Sequence, residues 1–182
     1  VYSRIGEVYS EQMNFNGALE YYRNAYGAWE KLRKPAFMNN ATLNIANAYS
    51  SLGDNDNAVK YYSQALQAAA QQEDNDMVIA CLSNLGDIYV ETEQYAKALE
   101  KYLETRRLSV ILEKHEAIST GNLALAYYHL GKKGLAEQYF IESLAMSKEE
   151  APVVYSIILT GYCEFLIDNK EYEKARSLVM EA

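Results

Sequence analysis

The stretch Leu85-Gly86-Asp87-Ile88-Tyr89, followed by Ala98, Tyr102 and Thr105, occurs five times along the chain in altered form. Close copies of its first part are Ile5-Gly6-Glu7-Val8-Tyr9, Ile45-Ala46-Asn47-Ala48-Tyr49 and Leu123-Ala124-Leu125-Ala126-Tyr127; Tyr162-Cys163-Glu164-Phe165-Leu166 is a weaker one. The small residue of each core (Gly6, Ala46, Gly86, Ala124, Cys163) returns every 38–40 residues. Twelve positions after it every copy has an alanine: Ala18, Ala58, Ala98, Ala136 and Ala175. Four further on comes a large apolar residue (Tyr22, Tyr62, Tyr102, Phe140, Val179), and three beyond that a small one (Ala25, Ala65, Thr105, Ser143, Ala182). A fixed period of this size marks a repeat architecture.

Spacings of three and four place these side chains on one helical face. Turn-like stretches at 12–16, 52–57, 91–94, 130–134 and 168–171 split each repeat in two, and Gly53 and Gly131 suit the left-handed residue that ends a helix. Each repeat therefore predicts a helical hairpin. The alanine lets the two backbones approach, and the bulky residue fills the gap toward the next hairpin. One hairpin cannot bury its apolar face alone, whereas stacked neighbours can. The two prolines, Pro35 and Pro152, fall at matching places just before a new repeat, where a helix must stop.

A small residue, Tyr three later, Ala twelve later and an aromatic sixteen later resembles the tetratricopeptide repeat (TPR) family. The resemblance covers essentially the whole chain. It implies an all-α, right-handed α-solenoid of about five hairpins and about ten helices, without strands. The repeats fall at 1–37, 38–77, 78–115, 116–153 and 154–182, making a single array. They are longer than the family's basic unit, like those of bacterial regulators and of cargo- or peptide-binding adaptors. Val1 is not an initiator Met and Ala182 falls inside a predicted helix, so the chain reads as a piece of a longer protein. The fifth copy departs most, with Leu166 for Tyr and Val179 for the aromatic.

With 49% hydrophobic and 23% charged residues the composition is globular. Seventeen Lys and Arg against 25 Asp and Glu, a net charge of −8, argue against nucleic acid as the main partner. Cys81 and Cys163 form no CxxC motif and are expected as buried fillers. His115 and His129 have no ligand cluster beside them, so neither a metal nor another cofactor is expected. No phosphate-cradling glycine loop occurs, and an enzyme is disfavoured. The apolar run from Pro152 to Ile167 is broken by Ser156, Thr160 and Glu164, so membrane insertion is not expected; the compartment implied is the cytoplasm. Tyr9, Tyr49, Tyr89 and Tyr127 read as core residues with hydroxyls at a wet edge.

The first helices offer the informative surface. Opposite their packed face, at roughly 100° per residue, stand Arg4, Glu7 and Glu11; Asn40, Asn44, Asn47 and Ser51; Ala80, Asn84, Asp87 and Glu91; Ile118, Asn122, Leu125 and His129; and Ile157, Gly161, Glu164 and Asp168. TPR resemblance implies that these positions line a concave, peptide-binding groove. Asn44, Asn84 and Asn122 recur one residue before the core Leu or Ile. Their amides would either clamp the backbone of an extended peptide or bond between hairpins, and the sequence leaves both open. One cation against six carboxylates gives the stripe −5 of the chain's −8, which favours a ligand carrying Lys or Arg. The Lys/Arg clamp of chaperone-tail TPR adaptors is missing, its places held by Ser3, Glu7 and Asn84.

The function expected is a non-catalytic protein- or peptide-binding scaffold, its ligand held by Asn40, Asn44, Asn47, Asn84, Asp87, Glu91, Asn122, His129, Glu7 and Glu164. One alternative is the sensory or regulatory part of a multidomain bacterial signalling protein, attached to a diguanylate cyclase, kinase or DNA-binding domain. Another is a structural array that self-associates end to end. That last reading predicts an apparent mass that rises with concentration in light scattering, and a strict monomer counts against it.

Overall fold

The computed structural model describes residues 1–148 and 152–181. Among them are ten helices and no strand: α1 Tyr2–Glu11, α2 Phe15–Lys31, α3 Pro35–Ser51, α4 Asn55–Gln71, α5 Asn75–Glu91, α6 Tyr95–Leu112, α7 Glu116–His129, α8 Lys133–Ser147, α9 Pro152–Asp168 and α10 Tyr172–Glu181. The fold is all-α, built from helical hairpins. Two compact units divide it, Val1–Ile88 and Tyr89–Ala182. In the first unit α1 packs on α2, α2 on α3 and α3 on α4; in the second α6 packs on α7, α7 on both α8 and α9, α8 on α9, and α9 on α10.

The repeat columns explain the packing within each unit. Ala18, Ala58, Ala98 and Ala136 are wholly buried, and so are the aromatics Tyr22, Tyr62, Tyr102 and Phe140 or very nearly so. Three of these aromatics reach past their own hairpin. Tyr22 clusters with Ile45 and Ala48 of the next one, Tyr102 with Leu123 and Ala126, and Phe140 with Ile158, Tyr162 and Phe165. The close approach is extreme at Gly6, where a Cβ would lie 2.5 Å from Tyr22 Cε1. Burying an aromatic or large aliphatic side chain is worth roughly 1.5–3 kcal/mol, so these interlocked rings are the main apolar contribution of each hairpin.

The fifth copy departs from expectation. Val179, in the aromatic column, is 57% exposed, and Cys163 is only half-buried, unlike the fully buried Cys81. Close contact instead falls on Gly161, which the sequence placed on the open stripe but which is buried; a Cβ there would lie 3.3 Å from Leu125 Cδ2 and 3.4 Å from Phe140 Cε1. Ala182, the last member of the small column, lies outside the described residues.

Helix ends follow one design. The turn residues Met13, Arg33, Gly53, Glu73, Glu93, Glu113, Gly131 and Lys170 all have positive φ. In each turn the left-handed residue and the next one donate back to the last helical turn, as Gly53 N does to Ser50 O at 2.9 Å and Asp54 N to Tyr49 O at 3.0 Å, the Schellman arrangement. The following helix then starts on a side-chain cap in several cases: Asn14 accepts from Gly17 N at 3.0 Å, Asp54 from Asn57 N at 3.2 Å and Asp74 from Met77 N at 3.1 Å. Pro35 and Pro152 open α3 and α9, where a missing N–H costs nothing. Those helices therefore begin slightly before the repeat bounds drawn at 38 and 154.

Two opposite changes in stability follow. Ala58→Leu should overpack the helix crossing and lower stability by about 1–3 kcal/mol in urea unfolding. Glu93→Gly should raise it by about 1 kcal/mol by relieving a left-handed non-glycine residue, while Gly53→Ala should do the reverse.

Candidate functional site

In the first unit α1, α3 and α5 carry the predicted residues. Glu7 is half-buried and lies 3.5 Å from Arg4 one turn earlier, an exposed pair of small energetic value. Asn40 is exposed; Asn44 and Asn84 are half-buried. Asn47 is exposed, yet its Oδ1 accepts the Tyr62 hydroxyl at 2.6 Å. It thus ties α3 to α4 of its own hairpin and differs from Asn44, Asn84 and Asn122 in having an internal partner. Asp87 is exposed.

In the second unit Glu91 and Glu164 are exposed and Asn122 is half-buried. His129 stacks nearly parallel on Tyr95, centroids 4.8 Å apart at 3°, and meets the Tyr128 ring at 4.9 Å. Partial burial holds its imidazole below the usual histidine range, against the opposing pull of Glu164. Tyr128 donates its hydroxyl to Asp168 across the α7–α9 interface. That hydrogen bond, with burial and the nearby carboxylates, pushes the phenol up to about 12.

No hydrogen bond joins Asn44, Asn84 or Asn122 to another described residue. Bonding between hairpins, the structural alternative for these amides, is therefore not found. Asn39, which the sequence pattern passed over, is a different case. It is 3% exposed and neither amide atom has a partner. The same α3 position corresponds to apolar Ile79 in α5, so periodicity alone marked it as core.

A second row of contacts also escaped the column reading. Tyr9 stacks on Tyr21 at 5.2 Å, Tyr49 on Tyr61 at 5.4 Å and Tyr127 on Tyr139 at 5.4 Å. The signal was present in the dipeptides Tyr21-Tyr22, Tyr61-Tyr62 and Tyr139-Phe140. The third repeat has Lys101 at that place, and the Tyr89 face is covered instead by Lys97 Nζ, 5.4 Å from the ring centroid. These half-buried tyrosines hold helix pairs together, in keeping with a core role for Tyr9, Tyr49, Tyr89 and Tyr127. Among the described residues no group of three or more His, Cys, Asp or Glu could hold a metal ion, and no helix is long and apolar enough to cross a membrane.

The asparagines should separate by stability. Asn47→Ala should cost about 1 kcal/mol through the lost Tyr62 bond, while Asn44→Ala and Asn84→Ala should stay within about 0.5 kcal/mol of the parent in thermal or urea unfolding.

Family models described as tetratricopeptide repeat match residues 37–109 and 117–151. The 43 kDa receptor-associated protein of the synapse from Tetronarce californica is 24% identical over 161 residues, 84% of this chain and 39% of that protein. The chain thus spans well under half of that curated relative. Among solved structures, BtubC (BKLC) from P. vanneervenii is 21% identical with a TM-score of 0.84, over 99% of this chain and 76% of its own. NprR in complex with its cognate peptide NprX is 23% identical with a TM-score of 0.73, over 99% of this chain and 53% of its own. Identities this low establish the fold alone. The two matched segments together take in more than half of the sequence, their columns are those of the buried hairpin contacts, and the chain belongs to the tetratricopeptide repeat family.

Proposed function

We propose that this chain is a protein- or peptide-binding module without catalysis of its own, and that the first helices of each unit hold the ligand. The observation that carries this reading is the set Asn44, Asn84 and Asn122, half-buried amides at one register of the repeat with no internal hydrogen-bond partner. A half-buried amide with no internal partner offers a donor and an acceptor to an extended backbone. Asn40 and Glu7 flank this register in the first unit; Glu91, His129 and Glu164 flank it in the second. The carboxylates, with Asp87, select segments rich in Lys and Arg and speed their approach. The peptide named with NprR supports the ligand class.

Calorimetric titration with extended basic peptides tests the reading. Asn84→Ala should weaken binding about fivefold, the equivalent of one hydrogen bond of roughly 1 kcal/mol. Asp87→Lys should weaken basic peptides more than neutral ones and flatten the salt dependence. Unchanged affinity in both variants removes the model.

A further inference from the structure

We propose that in the second unit Tyr95, Tyr128, His129, Glu164 and Asp168 form a receptor for one arginine side chain of a protein partner. This inference rests on the peptide-binding reading above and names the side chain that one part of that surface selects.

The C-terminal ends of α7 and α9 bring these groups together. His129 stacks on Tyr95 with ring centroids 4.8 Å apart and meets the Tyr128 ring at 4.9 Å. Asp168 accepts the Tyr128 hydroxyl, and Glu164 is near enough to act electrostatically on both Tyr128 and His129. Glu164 and Asp168 are four residues apart, so they project from one face of α9, and both are exposed.

What this cluster lacks is a cation. Elsewhere in the same unit two acids beside aromatic rings are already neutralised. Glu137 is paired with Lys174, whose Nζ lies 5.8 Å from the Tyr162 ring centroid. Glu142 is paired at 2.6 Å with Arg106, whose guanidinium lies 5.9 Å from the Tyr139 ring centroid. Each of those seams combines a carboxylate, a tyrosine ring and a basic side chain from the chain itself. At Tyr128 and His129 the carboxylates and the rings are present, and among the described residues no Lys or Arg forms an ion pair with Glu164 or Asp168. The partner supplies the missing member. Burial disfavours protonation of His129, so at neutral pH its ring does not repel an incoming cation.

Arginine fits better than lysine. A guanidinium plane stacks on tyrosine or imidazole while its fork of N–H donors reaches carboxylates to the side, whereas an ammonium is a compact, strongly hydrated charge.

The test uses N-acetyl-L-arginine amide and its lysine counterpart, titrated into the chain and followed by NMR at the His129 imidazole and the Tyr128 ring. Saturable shifts at both rings with arginine, and binding several-fold weaker with lysine, are expected. Glu164→Gln should weaken the arginine probe about fivefold; the residue is exposed, so the thermal transition should be unchanged. Absence of shifts at these rings, equal binding of the two probes, or an unaltered response in Glu164→Gln overturns the inference. Two nine-residue Ala/Ser peptides, one with a central Arg and one with a central Ser, separate the two readings. Equal binding of both peptides, unaffected by Glu164→Gln, sinks the arginine receptor and leaves the peptide-binding module standing. Binding of the amino-acid probe as described, with neither peptide bound, counts against the module and, with it, against a partner's arginine as the occupant.

Discussion

A methyl group is what each second helix presents where it crosses the first. Ala18, Ala58, Ala98 and Ala136 are wholly enclosed, and the close approach they allow is what turns the following aromatic outward into the next hairpin. Were the crossing wider, Tyr22 would not reach Ile45, nor Phe140 reach Ile158 and Phe165. The alanine and the ring act as one device, the first setting a distance and the second using it. Packing at near-crystalline density leaves such a contact no slack in either direction.

The turns serve the same geometry at some cost. Eight left-handed residues end described helices, within hairpins and between them, and only Gly53 and Gly131 of these are glycines; a ninth, His115, precedes α7. At the others, Met13, Arg33, Glu73, Glu93, Glu113 and Lys170 hold a conformation that each would leave in isolation. The bonds back to the preceding turn, together with the buried columns on either side, keep them there. Local preference and tertiary demand disagree at these six positions, and the tertiary demand prevails.

The candidate surface was partly readable beforehand. Asn44, Asn84 and Asn122 share a register, and a register is a property of sequence. Whether an amide at that register is spent internally is decided by what lies across from it, and here the asparagines divide: Asn47 is engaged by Tyr62, while the three recurring ones have no such partner. The contacts among Tyr95, Tyr128, His129 and Asp168 arise from helix ends meeting across tens of residues. No spacing within one helix announces them.

Taken alone, the sequence determined the period, the hairpins, the crossing alanines and the all-α class, because a column of small and large residues repeated five times has one efficient way to exclude water. Only the tertiary structure decided that Gly161 is buried while Cys163 is half-buried, that Val179 remains exposed, and, among the described residues, that Asn44, Asn84 and Asn122 have no internal hydrogen-bond partner and that Glu164 and Asp168 have no internal cation. The reason is physical. Periodicity assigns a side chain to a face, but hydrogen bonds and ion pairs depend on separations of about an ångström between atoms that distant parts of the chain bring together.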